Sequence, residues 1–224
     1  MRVAVIYHCP QTTGRLDDAL TEIGAEVTRH RLDDGDRLPD PDYLDRVVVL
    51  GGAMGAYDTV EFPWLGQEKA WLAGLIDSGL PVLGICLGAQ LLADALGGRA
   101  YRAERAEAAV VELELTVAGS AHPVVSLAGP LVFSLHQDTF DLPPGAELLA
   151  RSGPYPQAFS YASALALQFH PDADLDQALA WGKEDWSLLS KARVDFDTYG
   201  AQLAGADHQL DQSSRAIFRE WLLW

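Results

Sequence analysis

Apolar positions along the chain fall into two rhythms. Val3 to Tyr7, Val47 to Leu50, Pro81 to Ile85 and Ala164 to Phe169 are short, nearly unbroken apolar runs, the pattern of strands covered on both faces. Glu26 to Arg31 reads as a further strand. Leu16 to Ile23, Trp64 to Ile76 and Leu87 to Leu96 predict helices. In the last of these, Leu87, Leu91, Leu92, Ala95 and Leu96 recur at helical spacing, and Gly97-Gly98 supplies a stop. After Arg99 the texture changes. Val110 to Val117, Leu131 to Leu135 and Ala158 to Ala162 alternate between Gly and Pro turns, which predicts antiparallel strands added to one edge. Two helices, Leu175 to Lys191 and Gln209 to Trp224, close the chain. Strands and helices in alternation imply an α/β fold: a doubly wound, mostly parallel sheet with helices on both faces. Such sheets bind ligands beyond the carboxyl ends of their strands.

Composition narrows the function. With 224 residues and 49% hydrophobic content the chain has material for a full core. No repeat, low-complexity tract or linker divides it, so residues 1–224 are expected to form a single domain. No apolar run is long enough to span a membrane, and MRVAVIYHCP reads as a first strand, not a signal peptide. The 16 basic against 32 acidic residues leave a net charge of −16, which argues against a nucleic-acid backbone or an anionic membrane as main partner. Cys9 and Cys86 form neither a metal-ligand spacing nor a disulfide framework. A cytoplasmic protein with no metal and no cofactor is expected.

One stretch carries chemistry: "PVLGICLGAQLLADALGG", residues 81 to 98. Cys86 lies between a predicted strand and a predicted helix, in the G-x-C-x-G form of a nucleophile elbow. The turn lifts the sulfur off the sheet, and the helix directs its positive end and unpaired N–H groups towards it, favouring the thiolate. The Leu87 amide is placed to donate to an oxyanion. A Cys nucleophile needs a base and a group to orient it. His170 follows the apolar run 165–169 at a second strand end, and Asp172 stands two residues further on across Pro171. "GGAMGAYD", residues 51 to 58, exposes backbone amides at a third strand end, where they serve either an oxyanion or a plain tight turn. In "SLHQDTFDLPPG", residues 134 to 145, His136 and Asp138 either contact substrate or satisfy each other.

In this order and spacing, "VVVLGGAMGAYD", "PVLGICLGAQLLADALGG", "LHQDTFDLPPGAELLA" and "LQFHPD" resemble the class I, triad-type glutamine amidotransferase family. They are similar above all to stand-alone members related to the glutaminase domain of GMP synthase. The resemblance covers roughly residues 1 to 190. It implies a flavodoxin-like domain that hydrolyses the side-chain amide of L-glutamine through a γ-glutamyl thioester on cysteine, releasing ammonia. Carried over by position, it implies Cys86 as nucleophile, His170 as general base and Asp172 as third triad member. Gly52 and Leu87 become the oxyanion-hole amides, and Gln90, Met54 and His136 substrate-binding residues. The family usually has Glu at the position of Asp172 and Pro at that of Ala53. No phosphate-binding glycine loop with lysine is found, so the expected receiver of ammonia is a separate synthetase subunit. Two other readings use the same residues: a γ-glutamyl hydrolase or peptidase, and a catalytically silent binding domain of the same fold.

Overall fold

The computed structural model describes residues 1–11, 13–153 and 155–224. Strand β1 (Arg2–Tyr7) leads through helix α1 (Gly14–Glu22) to β2 (Glu26–Arg31), and β3 (Arg46–Val49) through α2 (Trp64–Asp77) to β4 (Val82–Ile85). Helix α3 (Leu87–Ala95) follows β4 after one residue. The second half contains β5 (Arg99–Glu112), β6 (Glu114–Leu115), α4 (Val117–Ala121), β7 (Leu131–Asp141), β8 (Glu147–Ser152), β9 (Tyr155–Tyr161) and β10 (Ala164–Leu167). It ends with α5 (Leu175–Glu184), α6 (Trp186–Ala192) and α7 (Phe196–Leu223). None of the described helices is long and apolar enough to cross a membrane.

The main sheet has the order β2-β1-β3-β4-β10-β9-β8-β6. Its first five strands pair in parallel and the last three antiparallel. This is the flavodoxin-like order with antiparallel strands added at one edge. The pleat explains the unbroken apolar runs. Val3, Val5, Val48, Leu83, Ile85, Leu165 and Leu167 face one core with α1 and the end of α7. Ala4, Ile6, Val47, Val49, Val82, Ala164 and Ala166 face the opposite core with α2 and α3. Both faces are buried, so alternation disappears from the sequence while the structure retains it.

Three expectations are corrected. The runs 110–117 and 131–135 do not simply extend the sheet: β5 and β7 form a separate antiparallel ribbon, and β6 alone of that region joins the edge. Alternation specifies a half-buried strand but not its neighbour. Expected as one helix, 175–191 divides at Asp185, whose backbone leaves helical geometry (φ −108, ψ 58) and whose carboxylate accepts from Leu188 N–H. The last helix begins at Phe196, thirteen residues before the expected Gln209, capped by Asp195 accepting from Thr198 N–H. Strand β8 had no counterpart among the expected elements. The extended α7 joins two parts of the molecule. Tyr199, Leu203 and Leu210 pack with Phe133 of the ribbon, and Ile217, Phe218 and Trp221 pack on the main sheet.

The tightest packing surrounds the turn at Cys86. A Cβ on Gly84 would lie 2.5 Å from the Gly88 carbonyl oxygen, and one on Gly88 only 2.2 Å from that of Val49. Gly88→Ala therefore has no space, and overpacking of this kind costs about 1–3 kcal/mol. Gly205→Ala, exposed on α7 with nothing near the new methyl, should instead stabilise by about 0.5–1 kcal/mol. Urea denaturation of both variants checks this pair of opposite signs. A Gly88→Ala midpoint equal to that of the unaltered protein contradicts the packing.

Candidate active site

Four strand ends meet at one place: β1 with His8 beyond it, β3 with Gly51 and Gly52, β4 with Cys86, and β10 with His170. Cys86 has φ 52 and ψ −105, outside the regions an L-residue ordinarily occupies. Such backbone strain costs on the order of 1–3 kcal/mol and persists only where surroundings enforce it. Here Cys86 N–H donates to Leu167 O (2.8 Å), Gln90 N–H donates to Cys86 O (3.1 Å), and Gly88 N–H donates to Leu50 O (3.2 Å). The elbow is thus tied to β10, α3 and β3 at once. Leu87 opens α3, so its N–H has no partner within the helix and stands directly after the sulfur-bearing residue.

His170 is held on every side. Its N–H donates to Phe133 O (2.8 Å), and its ring packs against Trp181 and Phe133 with centroids 4.9 and 5.8 Å away. Nδ1 lies 3.1 Å from Asp172 Oδ1, and a carboxylate acceptor places the proton on Nδ1. Asp172 therefore reaches the imidazole despite being a methylene shorter than the family's usual Glu. Burial opposes charge on His170, but the charges of Cys86 and Asp172 and hydrogen bonds to both outweigh it, raising the pKa to about 10. The ring is an imidazolium through the neutral range, beside the Cys86 sulfur.

The Asp172 loop is fixed from below. Arg15 N–H donates to Asp172 O (3.2 Å), and its buried guanidinium donates to Ala173 O (2.7 Å) and to Asp207 Oδ1 on α7 (2.6 Å). Burial, then the charge of Asp33, pushes the Cys9 thiol up to about 11.

The glycines after β3 complete the wall. A Cβ on Gly51 would meet His170 Cε1 at 3.0 Å and Cys86 Cβ at 3.5 Å, and one on Gly52 would meet Leu87 Cδ2 at 2.7 Å and Met54 Sδ at 2.8 Å. Only glycine lets the backbone approach this closely. Cys86, His170, Asp172, Gly52, Leu87 and Met54 are therefore brought together. Gln90 is buried beneath them, donating from Nε2 to Asp138 O and Gln168 Oε1 (each 3.2 Å). His136 is turned away into the ribbon, with Nδ1 at 2.9 Å from Asp138 O and Nε2 at 3.0 Å from Glu107. Tyr57 O–H donates to Asp138 (2.9 Å), which also pairs with Arg102 (2.8 Å), joining the loop after β3 to the ribbon.

Sequence reasoning missed His8, Glu68 and Arg15. His8 follows the first strand, where the same strand-end rule applied to Cys86 points to it. Glu68 shares the buried stripe of α2 with Leu65, Leu72 and Leu75, and a carboxylate on an apolar stripe calls for a buried partner. Arg15 carries no local signal, because its partners lie at the far end of the chain. No group of His, Cys, Asp or Glu among the described residues could hold a metal ion.

Similarity to known proteins extends over most of the chain. The model of the glutamine amidotransferase class-I family matches residues 4–179. A glutamine-hydrolyzing GMP synthase from Thermomicrobium roseum is 40% identical over 132 residues, 56% of this chain and 23% of that protein. One of the subunits of a glutamine-hydrolyzing GMP synthase from Thermococcus kodakarensis is 41% identical over 112 residues, 48% of this chain and 58% of that protein. The match thus spans less than two thirds of either relative. A solved glutamine amidotransferase from Thermotoga maritima superposes with a TM-score of 0.87 at 28% identity, covering 99% of this chain and 98% of that one.

The contrast between the two thiols is testable. Under limiting iodoacetamide at neutral pH, followed by peptide mapping, Cys86 should be labelled before Cys9. Preferential labelling of Cys9 contradicts the electrostatics described.

Proposed function

The chain belongs to the class I glutamine amidotransferase family, and on that premise we propose that it hydrolyses the side-chain amide of L-glutamine at Cys86. The observation that carries the proposal is the strained Cys86 elbow facing an imidazole that Asp172 holds at 3.1 Å. The Cys86 thiolate attacks the glutamine amide carbon, and the oxygen takes the negative charge towards the Gly52 and Leu87 amides. His170 gives its proton to the departing nitrogen, the C–N bond breaks, and ammonia leaves a γ-glutamyl thioester on the sulfur. Water then attacks the thioester as His170 takes up its proton, releasing glutamate and restoring the thiolate–imidazolium pair.

Asp172 fixes the Nδ1–H tautomer and the ring orientation throughout. Met54 and the Tyr57–Asp138 contact border the glutamine pocket. Gln90 acts on it from beneath through its bond to the Asp138 carbonyl, and His136 acts from the ribbon through its own contact with that same oxygen. The proposal treats residues 1–224 as one domain, supported by α7, which packs on both the ribbon and the main sheet. It hands ammonia to a separate synthetase subunit, in keeping with the Thermococcus kodakarensis relative, itself one component of a GMP synthase. The reaction is placed in the cytoplasm, where two unpaired cysteines are at home.

The test is ammonia release from L-glutamine by the pure protein, with Asp172→Ala and Asp172→Glu beside it. Asp172→Ala should lower kcat by about 10²-fold or more, since an unoriented imidazole populates the wrong tautomer. Activity should also fall as pH rises through about 10, where His170 loses the proton destined for the leaving nitrogen. Glutamine left intact while another γ-glutamyl compound releases its amine would transfer the mechanism to a γ-glutamyl hydrolase. Equal activity of Asp172→Ala and the unaltered protein would remove Asp172 from the triad.

A further inference from the structure

Against the glycines that follow β3 lies a buried ion pair to which the proposed chemistry assigns no role. His8 and Glu68 side chains are fully shielded from solvent. His8 Nε2 is 3.1 Å from both Glu68 oxygens, and Nδ1 is 3.1 Å from the Gly51 carbonyl oxygen. Trp64 stacks on the imidazole at 5.6 Å with planes 12° apart. The carbonyl can only accept, so Nδ1 carries a proton. A carboxylate on the other side then requires a proton on Nε2 as well. Burial opposes this charge, but Glu68 and the backbone acceptors outweigh it. A buried ion pair is weak as a stabilising device, since its desolvation cancels much of its attraction and an apolar replacement often does as well. Its position suggests a different purpose.

The Gly51 carbonyl and the Gly52 N–H belong to one peptide plane. No described peptide bond is cis, and in a trans peptide the two groups point in opposite directions. A carbonyl drawn down onto His8 therefore turns the Gly52 N–H away from His8, in a segment where a Cβ on Gly51 would meet His170 Cε1 at 3.0 Å and Cys86 Cβ at 3.5 Å. We propose that His8 and Glu68 are a positioning pair that aims and polarises the Gly52 amide for the oxyanion formed at Cys86. A charged donor on the carbonyl increases the peptide dipole, so the amide becomes a stronger donor as negative charge develops opposite it. Glu68 keeps the imidazole charged and in register. The inference rests on Cys86 acting as an acyl-accepting nucleophile, but it does not require glutamine to be the substrate.

The experiment compares two reactions of the same sulfur in the full chain. With p-nitrophenyl acetate, Cys86 attacks a carbonyl, passes through an oxyanion, and releases p-nitrophenolate as the S-acetyl bond forms. With iodoacetamide it displaces iodide at a saturated carbon, and no oxyanion arises. His8→Leu should slow acetylation of Cys86 by about 10²-fold, the scale of one lost oxyanion donor, and leave alkylation nearly unchanged. His8→Asn, whose amide can still donate to the Gly51 carbonyl, should recover much of the acetylation, and Glu68→Gln should fall between the two. Parallel slowing of both reactions marks a merely structural pair and overturns the proposal, as does acetylation unchanged in His8→Leu. The selective loss in a protein that releases no ammonia from glutamine would uphold the positioning pair while refuting the proposed substrate.

Discussion

The approach of α3 to the sheet is the constraint on which the rest depends. Gly84 and Gly88 let the helix start one residue after β4, in backbone contact with β3. Leu50 O and Leu167 O, from the strands on either side, bind the turn. In so short a connection Cys86 takes the strained backbone that raises its sulfur from the strand end. The same closeness puts the Leu87 N–H beside the sulfur and brings the loop after β3 against it. Side chains on either glycine would push the helix outward, and the remaining groups would have no common point to face.

Around that point, charge is buried in layers. Asp172 holds His170, Arg15 holds the Asp172 loop, and Asp207 on α7 holds Arg15. On the other side Glu68 holds His8, which holds Gly51. Each buried group carries a desolvation cost that its partner offsets. The two chains of contacts end on the proposed base and on the peptide of the proposed oxyanion site. Helix α7 thus does more than close the core: its N-terminal half packs with the ribbon that binds the His170 backbone, and its Asp207 pairs with Arg15, which holds the Asp172 loop.

Much of this was legible in the sequence, for a physical reason. Strands buried on both faces announce themselves as apolar runs, and the short β3, β4 and β10 were placed within a residue or two. The elbow was legible because its glycines, strand and helix are contiguous. His170 and Asp172 were found by looking at a second strand end. What stayed hidden depends on partners distant in sequence. Alternation in β5 and β7 could not say that they pair with each other, and nothing near Arg15 announces Asp207. The break at Asp185 and the early start at Asp195 were signalled by capping carboxylates, but helical periodicity on both sides masked the first, and Gly200 and Gly205 weakened the second.

Membership of the glutamine amidotransferase family and the geometry of the elbow converge on one sulfur. The most direct measurement is therefore chemical trapping of the reaction in progress. The protein is mixed with isotopically labelled L-glutamine, quenched in acid during turnover, digested and mapped by mass spectrometry. The account predicts a labelled γ-glutamyl thioester on the peptide containing Cys86, discharged by hydroxylamine. Label on another residue, or ammonia released with no labelled thioester at any quench time, would contradict it.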